Sequence, residues 1–380
     1  MKIFEIATPN KKVLAEAKAR IDHPEDLVFD EGSSGALRAL NAMLHAAADP
    51  SATTIKWDGT PAIIFGRDEN GFVLTDKAGF GAKKYDGMAR SQKMFQDMIF
   101  NRKADQPGRM EYASQLAKLY PMLEQAVPVQ FKGYIQGDIM WMSTPVVHDD
   151  VIEIQPLKVK YSIPATSELG KKIRKSHAGV VVHSMFESRE EEEPRAIESV
   201  DALGLKQVPG LVVLSPQMQV ESSAYPLPKK DIDAVKALIA KTGPSIDKLL
   251  DNMTVGALKI SNLSEIFKSF LNYKAGQGDH TLDSNEFLSW LKNPISKISV
   301  SKQANIIEHL NANKTGFASI WKLVNALVSL KYALKSQLDN ATGSQVTATI
   351  RNEPGHEGFV SDTPHGKIKL VNRPVFMKKV

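Results

Sequence analysis

Two hydrophobic periods divide this chain, and one kind of layer cannot satisfy both. From residue 231 to 341 apolar side chains recur at helical spacing. Ile232, Val235, Leu238 and Ile239 share a face, as do Ile266, Phe267, Phe270 and Leu271. Ile320, Leu323, Val324, Leu327, Leu330, Leu334 and Leu338 form a longer stripe. Outside this segment most runs read as strands: 62–65 and 72–75 around the turn Asp68-Glu69-Asn70-Gly71, then 129–141, 151–161, 178–186, 211–214 and 346–350. Helices are expected at 36–48, capped by Ser33 or Ser34, and at 110–125. The fold class is therefore α+β, a strand-rich body interrupted by a large all-helical insertion. Composition shifts at Tyr225-Pro226-Leu227-Pro228, so the expected domains are 1–225 with 343–380, and 226–342.

Composition removes several function classes. There are 380 residues and no cysteine, which excludes disulfides, thiolate zinc sites and cysteine nucleophiles and suits a reducing compartment, the cytoplasm (a host's, if the protein is viral). No apolar run approaches the ~18 residues of a membrane span, and the first residues carry no long apolar stretch, so neither a membrane segment nor a signal peptide is expected. A net charge of +5 permits a polyanionic partner without demanding one.

Chemistry concentrates at two places. Lys56-Trp57-Asp58-Gly59 follows Ile55 and precedes the apolar run Pro61-Ala62-Ile63-Ile64-Phe65, placing a lysine and an aspartate at a strand end. An amine attacks only when neutral, so a nucleophilic lysine needs desolvation or neighbouring cations. Near the other end, Glu357-Gly358-Phe359-Val360 and Lys367-Ile368-Lys369-Leu370-Val371 flank the turn Thr363-Pro364-His365-Gly366 and read as a hairpin. Strand alternation puts Lys367 and Lys369 on one face, a plausible phosphate clamp. In between, Asp138 is an acid inside the apolar strand Tyr134-Ile135-Gln136-Gly137-Asp138-Ile139-Met140-Trp141, where it needs a partner or a ligand.

Taken in order, these segments resemble the covalent nucleotidyltransferase superfamily of ATP-dependent DNA and RNA ligases and mRNA capping enzymes. Motif I, Lys-x-Asp-Gly, corresponds to Lys56 through Gly59; motif IV, Glu-Gly-aromatic-Val, to Glu357 through Val360; motif V, Lys-x-Lys, to Lys367 through Lys369. Softer matches put motif Ia at Thr75-Asp76-Lys77-Ala78-Gly79 and motif III at Gly137-Asp138, with aspartate in place of glutamate. Motif IIIa, which often carries the base-stacking residue, falls near Val180-Val181-Val182-His183-Ser184-Met185-Phe186. The resemblance implies an antiparallel-sheet, ATP-grasp-like ligase adenylation domain. It implies ATP and Mg²⁺ as cofactors, RNA or DNA ends as partners, and a monomer.

By the same resemblance Lys56 is the nucleophile that takes AMP, and Asp58 orients it or the leaving pyrophosphate. Lys367 and Lys369 hold phosphates, Glu357 holds the metal, Asp138 and Lys77 belong to the nucleotide site, and Val182 stacks on the base. Gly59 and the main chain at Ile55 line the nucleotide. AMP would then pass to a polynucleotide 5′-phosphate and be displaced by a 3′-hydroxyl. Pro61 stands where DNA ligases and capping enzymes commonly carry arginine, and 11 residues follow Lys369, leading us to expect no OB module after motif V. Both features favour the pattern of phage-type RNA ligases.

Several alternatives stay open at this level. A capping-like or protein-modifying nucleotidyltransferase would share the lysine chemistry, and a nucleic-acid-binding protein could retain the fold without it. Lys367 and Lys369 also fit an ordinary solvated strand face. Lys171-Lys172-Ile173-Arg174-Lys175 fits either a phosphate contact or a solvated helix end. His183 is expected to be a satisfied core histidine, and His356 with His365 does not make a metal site. The helical insertion is expected to act as a lid or specificity element, with adenylation surviving its removal.

Overall fold

The computed structural model describes residues 21–82, 86–191, 194–197, 199–216, 225–341 and 346–377; the expectation for the chain's first residues lies outside them. The strands are β1 (Thr53–Lys56), β2 (Ala62–Asp68), β3 (Gly71–Asp76), β4 (Gly133–Trp141), β5 (Val147–His148), β6 (Val151–Ile154), β7 (Val159–Pro164), β8 (Ala178–Phe186), β9 (Arg195–Ala196), β10 (Leu211–Leu214), β11 (Thr347–Ile350), β12 (Glu353–Pro354), β13 (Gly358–Ser361) and β14 (Ile368–Val371). The helices are α1 (Asp26–Ala48), α2 (Lys77–Phe80), α3 (Gln92–Asn101), α4 (Arg109–Ala117), α5 (Leu119–Ala126), α6 (Glu168–Ile173), α7 (Lys229–Leu249), α8 (Asn252–Ala257), α9 (Leu263–Gly276), α10 (Ser284–Lys292), α11 (Val300–Ala312), α12 (Lys314–Ala341) and α13 (Arg373–Met377). This is an α+β protein, and among the described residues no helix is long and apolar enough to cross a membrane.

Packing divides the chain into two units. The first contains Trp57–Gln217 and Ser344–Pro354. Its larger sheet runs β10-β8-β4-β2-β3, with β9 on β8; β10 is parallel to β8 and the other pairs are antiparallel. One face of that sheet, through Ile63, Phe65, Ile135, Ile139, Val180 and Val182, packs on Phe95, Ile99, Leu116, Leu119 and Leu123 of α3, α4 and α5. Alternation sends Ile64, Val73, Tyr134 and Phe186 to the opposite face, where they cluster with Phe80 and Met88. A second antiparallel sheet runs β12-β11-β7-β6-β5. The expected strand 151–161 is two strands, β6 and β7, and the expected helix 110–125 is two helices meeting at Lys118.

The second unit contains Ile21–Lys56, Met218–Gly343 and Gly355–Val380. The helices of 229–341 thus share a core with α1, β1, β13 and β14, and packing does not follow the expected boundaries of 226–342. The reason is aromatic and ionic. Phe29 of α1 packs at a tilt on Phe267 and edge-on against Trp321, and Phe267, Phe270 and Phe287 close around the same indole. Lys331 of α12 is fully buried and bonds Glu25 at 2.5 Å, while Arg373 of α13 bonds Asp26 at 2.5 Å. Burial pushes the Lys331 ammonium down against the pull of Glu25, whose own carboxyl is held low by Lys331 and Arg373 against the cost of burial. Deleting the helices would strip these partners from α1. The expected boundary at 226 therefore runs between side chains that pack together.

The expected helix start at Ser33 or Ser34 is instead a break within α1, at Gly32 (φ +63°). The Ser33 main-chain N–H and hydroxyl donate to Asp247 of α7 at 2.7 and 2.6 Å. A Cβ on Gly32 would stand 2.2 Å from Asp247 Oδ1, so both backbone conformation and space require glycine there.

Candidate functional site

In the second unit, β1, β13 and β14 form a three-stranded antiparallel sheet in that order. Lys56 opposes Gly358, which on its other side opposes Val371; the next rows run Ile55, Phe359, Leu370 and Thr54, Val360, Lys369. Directly opposed residues share a face, so Thr54, Lys56, Val360 and Lys369 project together. Ile55, Phe359, Leu370 and Ile368 project the other way and are buried. Period two places Lys367, one residue before β14, on the Lys369 side. One sheet face therefore carries the lysines of both ends of the sequence, and the other holds the sheet in the core.

Lys56 Nζ lies 2.5 Å from Glu357 Oε1. The glutamate side chain is 6% exposed and the lysine 37%, so the amine reaches outward from a buried anchor. Lys367 Nζ pairs with Asp362 Oδ2 at 3.2 Å within the hairpin. The main-chain N–H of Lys369 donates to the Asp22 carbonyl at 3.0 Å. Burial and the neighbouring Asp26 and Asp30 raise the Asp22 carboxyl, with Lys268 and Lys369 opposing them.

The remaining expected site residues belong to the first unit. Asp58 is 4% exposed, and its Oδ2 accepts the main-chain N–H groups of Lys158 and Val159 at 2.6 and 3.0 Å. Its own N–H donates to the Tyr161 hydroxyl at 2.7 Å, and Trp57 stacks on Tyr161 with centroids 4.7 Å apart. This carboxylate is committed to the turn between β6 and β7. Gly59 lies against β4, and the Thr60–Pro61 peptide is cis. Lys77 is exposed in the short helix α2, where Asp76 Oδ1 caps Gly79 at 2.7 Å and accepts from Arg102 at 2.6 Å.

Asp138 projects from the face of β4 opposite the α3–α5 core. Val182 opposes Gly137, is fully buried in that core and lies on the other side of the sheet from Asp138. It therefore does not share a face with Asp138, and the base-stacking role falls away. A register shift explains what takes its place. Gln136 pairs with Ser184 and Gly137 with Val182, so His183 is the extra residue of a bulge. Its Nε2 stands 3.6 Å from Asp138 Oδ2 and its Nδ1 2.8 Å from Ser184 Oγ. His183 is satisfied, as expected, but on a half-exposed sheet face; no local pattern announces the bulge that aims it there.

Among the described residues no three histidine or carboxylate side chains converge as a metal site. Glu357, the carboxylate that the resemblance assigns to a metal, has its Oε1 paired with Lys56 Nζ.

No curated protein and no solved structure matches the chain. A family model described as "Family of unknown function (DUF6267)" matches residues 19–379, and the chain belongs to that family.

Proposed function

We propose that the protein is a lysine-dependent nucleotidyltransferase that takes AMP from ATP and joins polynucleotide ends, RNA in preference to DNA, within a ligase adenylation fold. The observation that carries the reading is the meeting of Lys56 with Glu357, 301 positions away, on a sheet whose same face bears Lys369. An amine, a buried carboxylate and Lys369 on the sheet face of the amine support the reading that the sequence resemblance suggests.

In this reading the Lys56 amine, once deprotonated, attacks the α-phosphorus of ATP. A nitrogen–phosphorus bond forms, the bond to the bridging oxygen breaks, and pyrophosphate leaves with the electron pair. Lys367 and Lys369 stabilise charge on the phosphate oxygens. Glu357 holds Lys56 before nucleotide arrives and would hold Mg²⁺, which supplies Lewis-acid neutralisation of the leaving group.

The test is covalent labelling with α-³²P ATP and Mg²⁺, read on a denaturing gel. A labelled band lost in Lys56→Ala is expected, followed by sealing of a nicked RNA duplex in preference to DNA. No label from ATP or GTP, or a label that survives Lys56→Ala, rejects the reading. Label from GTP alone points to capping-type chemistry instead.

A further inference from the structure

We propose that Asp339 and His356 form a clamp that sets Glu357 against Lys56, making them positioning residues for the lysine site; this rests on the reading of Lys56 as the AMP acceptor. The clamp reaches the sheet from the end of α12, in the segment that sequence alone marks as an insertion.

One carboxylate oxygen serves two donors. Asp339 Oδ1 accepts the His356 main-chain N–H at 3.1 Å and lies 3.3 Å from the His356 Nδ1. Oδ2 accepts from Lys335 Nζ at 2.6 Å, one helical turn back along α12. Burial disfavours the ionised acid, but the His356 hydrogen bond and the Lys335 ammonium outweigh it and hold the Asp339 carboxyl below its usual range. Lys335 also stands over the Phe359 ring at 5.8 Å, and the His356 imidazole lies 5.6 Å from the same ring. Gly355, at φ +144°, lets the chain turn into this contact.

The consequence falls on the next residue. His356 is fixed at its main chain and at its ring. Gly358 is fixed by pairing with Lys56 and Val371, and a Cβ there would stand 2.5 Å from the Leu370 carbonyl oxygen. Glu357 lies between two immobilised neighbours, so its carboxylate has little freedom to leave the amine. Asp339 bonds both the main chain and the ring of His356, and in this proposal it acts on Glu357 through that residue. The ammonium of Lys335 completes the device by holding the carboxylate still.

Two readouts test this. The first needs no nucleotide: the rate at which acetic anhydride modifies Lys56, followed by mass spectrometry. The second is the first-order rate of self-adenylation across ATP concentrations. The primary variant is Lys335→Met/Asp339→Ala, which removes the carboxylate without stranding the ammonium. It should raise Lys56 modification several-fold and slow adenylation by about tenfold, because small displacements of reacting groups cost that much. Half-saturating ATP should stay within about twofold, since a positioning defect falls on the chemical step. Asp339→Asn, which keeps an oxygen for the His356 N–H, and His356→Asn, which keeps a nitrogen near the Nδ1 position, should recover most of both. Unchanged Lys56 modification in the folded double variant overturns the clamp, as does a change confined to ATP half-saturation. If the wild type takes no label, the functional reading fails, while Lys56 modification still decides the clamp.

Discussion

Gly59 approaches β4 so closely that a Cβ at that position would lie 2.5 Å from the Asp138 Cβ and 3.2 Å from the Ile139 carbonyl oxygen. The glycine that closes Lys-x-Asp-Gly is thus required by packing before any ligand is considered. Gly59→Ala should cost about 1–3 kcal/mol by forcing the strand to shift. Urea denaturation measures it, and a variant as stable as wild type would show that β4 yields freely.

Lys56→Arg should separate chemistry from fold. Arginine keeps a cation beside Glu357 but stays protonated and cannot act as the amine nucleophile. Stability is expected to stay within about 0.5 kcal/mol of wild type, as for most partly exposed substitutions, with covalent labelling lost. A labelled Lys56→Arg protein would move the acceptor to another side chain.

Asp58→Ala should act through the fold. It removes the acceptor of two main-chain N–H groups, Lys158 and Val159, at a site 4% exposed. Each stranded donor costs about 1–3 kcal/mol, and Asp58→Asn, which keeps one oxygen, should lose less. Equal stability of wild type and Asp58→Ala in urea would leave Asp58 with a purely chemical role.

Legibility in the sequence followed the range of the interactions. The strands at 178–186 and 211–214 coincide with β8 and β10, because each is built on a short β-branched apolar run, Val180–Val182 and Leu211–Leu214. The lysine hairpin was legible for a related reason, since its turn residues and alternation are local. The break that splits 151–161 is marked locally by Pro156, but the hold of Asp58 on the amides of that turn, from a hundred positions earlier, was not legible. Nor was the partnership of α1 with the helical segment, which rests on Phe29 meeting Phe267 and Trp321. The bulge at His183 is a count of residues between two strands, and a single strand's pattern does not contain it.

Lys331→Ala should be among the most destabilising single changes. It leaves the Glu25 carboxylate buried without its 2.5 Å partner, and breaking a buried pair from one side costs about 3–5 kcal/mol. Chemical denaturation followed by circular dichroism measures the loss. A cost below about 1 kcal/mol would mean that Arg373 alone suffices for Glu25.

The Asp68–Arg90 pair sets a pH dependence of known sign. Arg90 donates to both Asp68 oxygens, at 2.8 and 2.9 Å, and Tyr134 adds a bond at 3.1 Å. Burial raises the Asp68 carboxyl, but these donors win and hold it below its ordinary 3.8. The folded state therefore binds the Asp68 proton less readily than the unfolded chain, and the stabilisation is present above pH 3.8 and lost as pH falls through the lowered value. Stability measured from pH 6 to pH 2 should fall less steeply at its acid end in Asp68→Asn than in wild type. Identical acid slopes would remove this pair from the pH response.

The interleaving of the two units has a consequence for how the protein is made. β1 leaves the ribosome early, yet its pairing strand begins at Gly358, and Glu357 follows Lys56 by 301 positions. At about 5–20 residues per second, the strand carrying Lys56 waits roughly 15–60 s of synthesis for its neighbour. Through that interval its open edge and the apolar side chain of Ile55 are available to other chains. A ribosome stalled before codon 358 would release a polypeptide whose first sheet unit cannot close, and such fragments should be bound by chaperones or degraded.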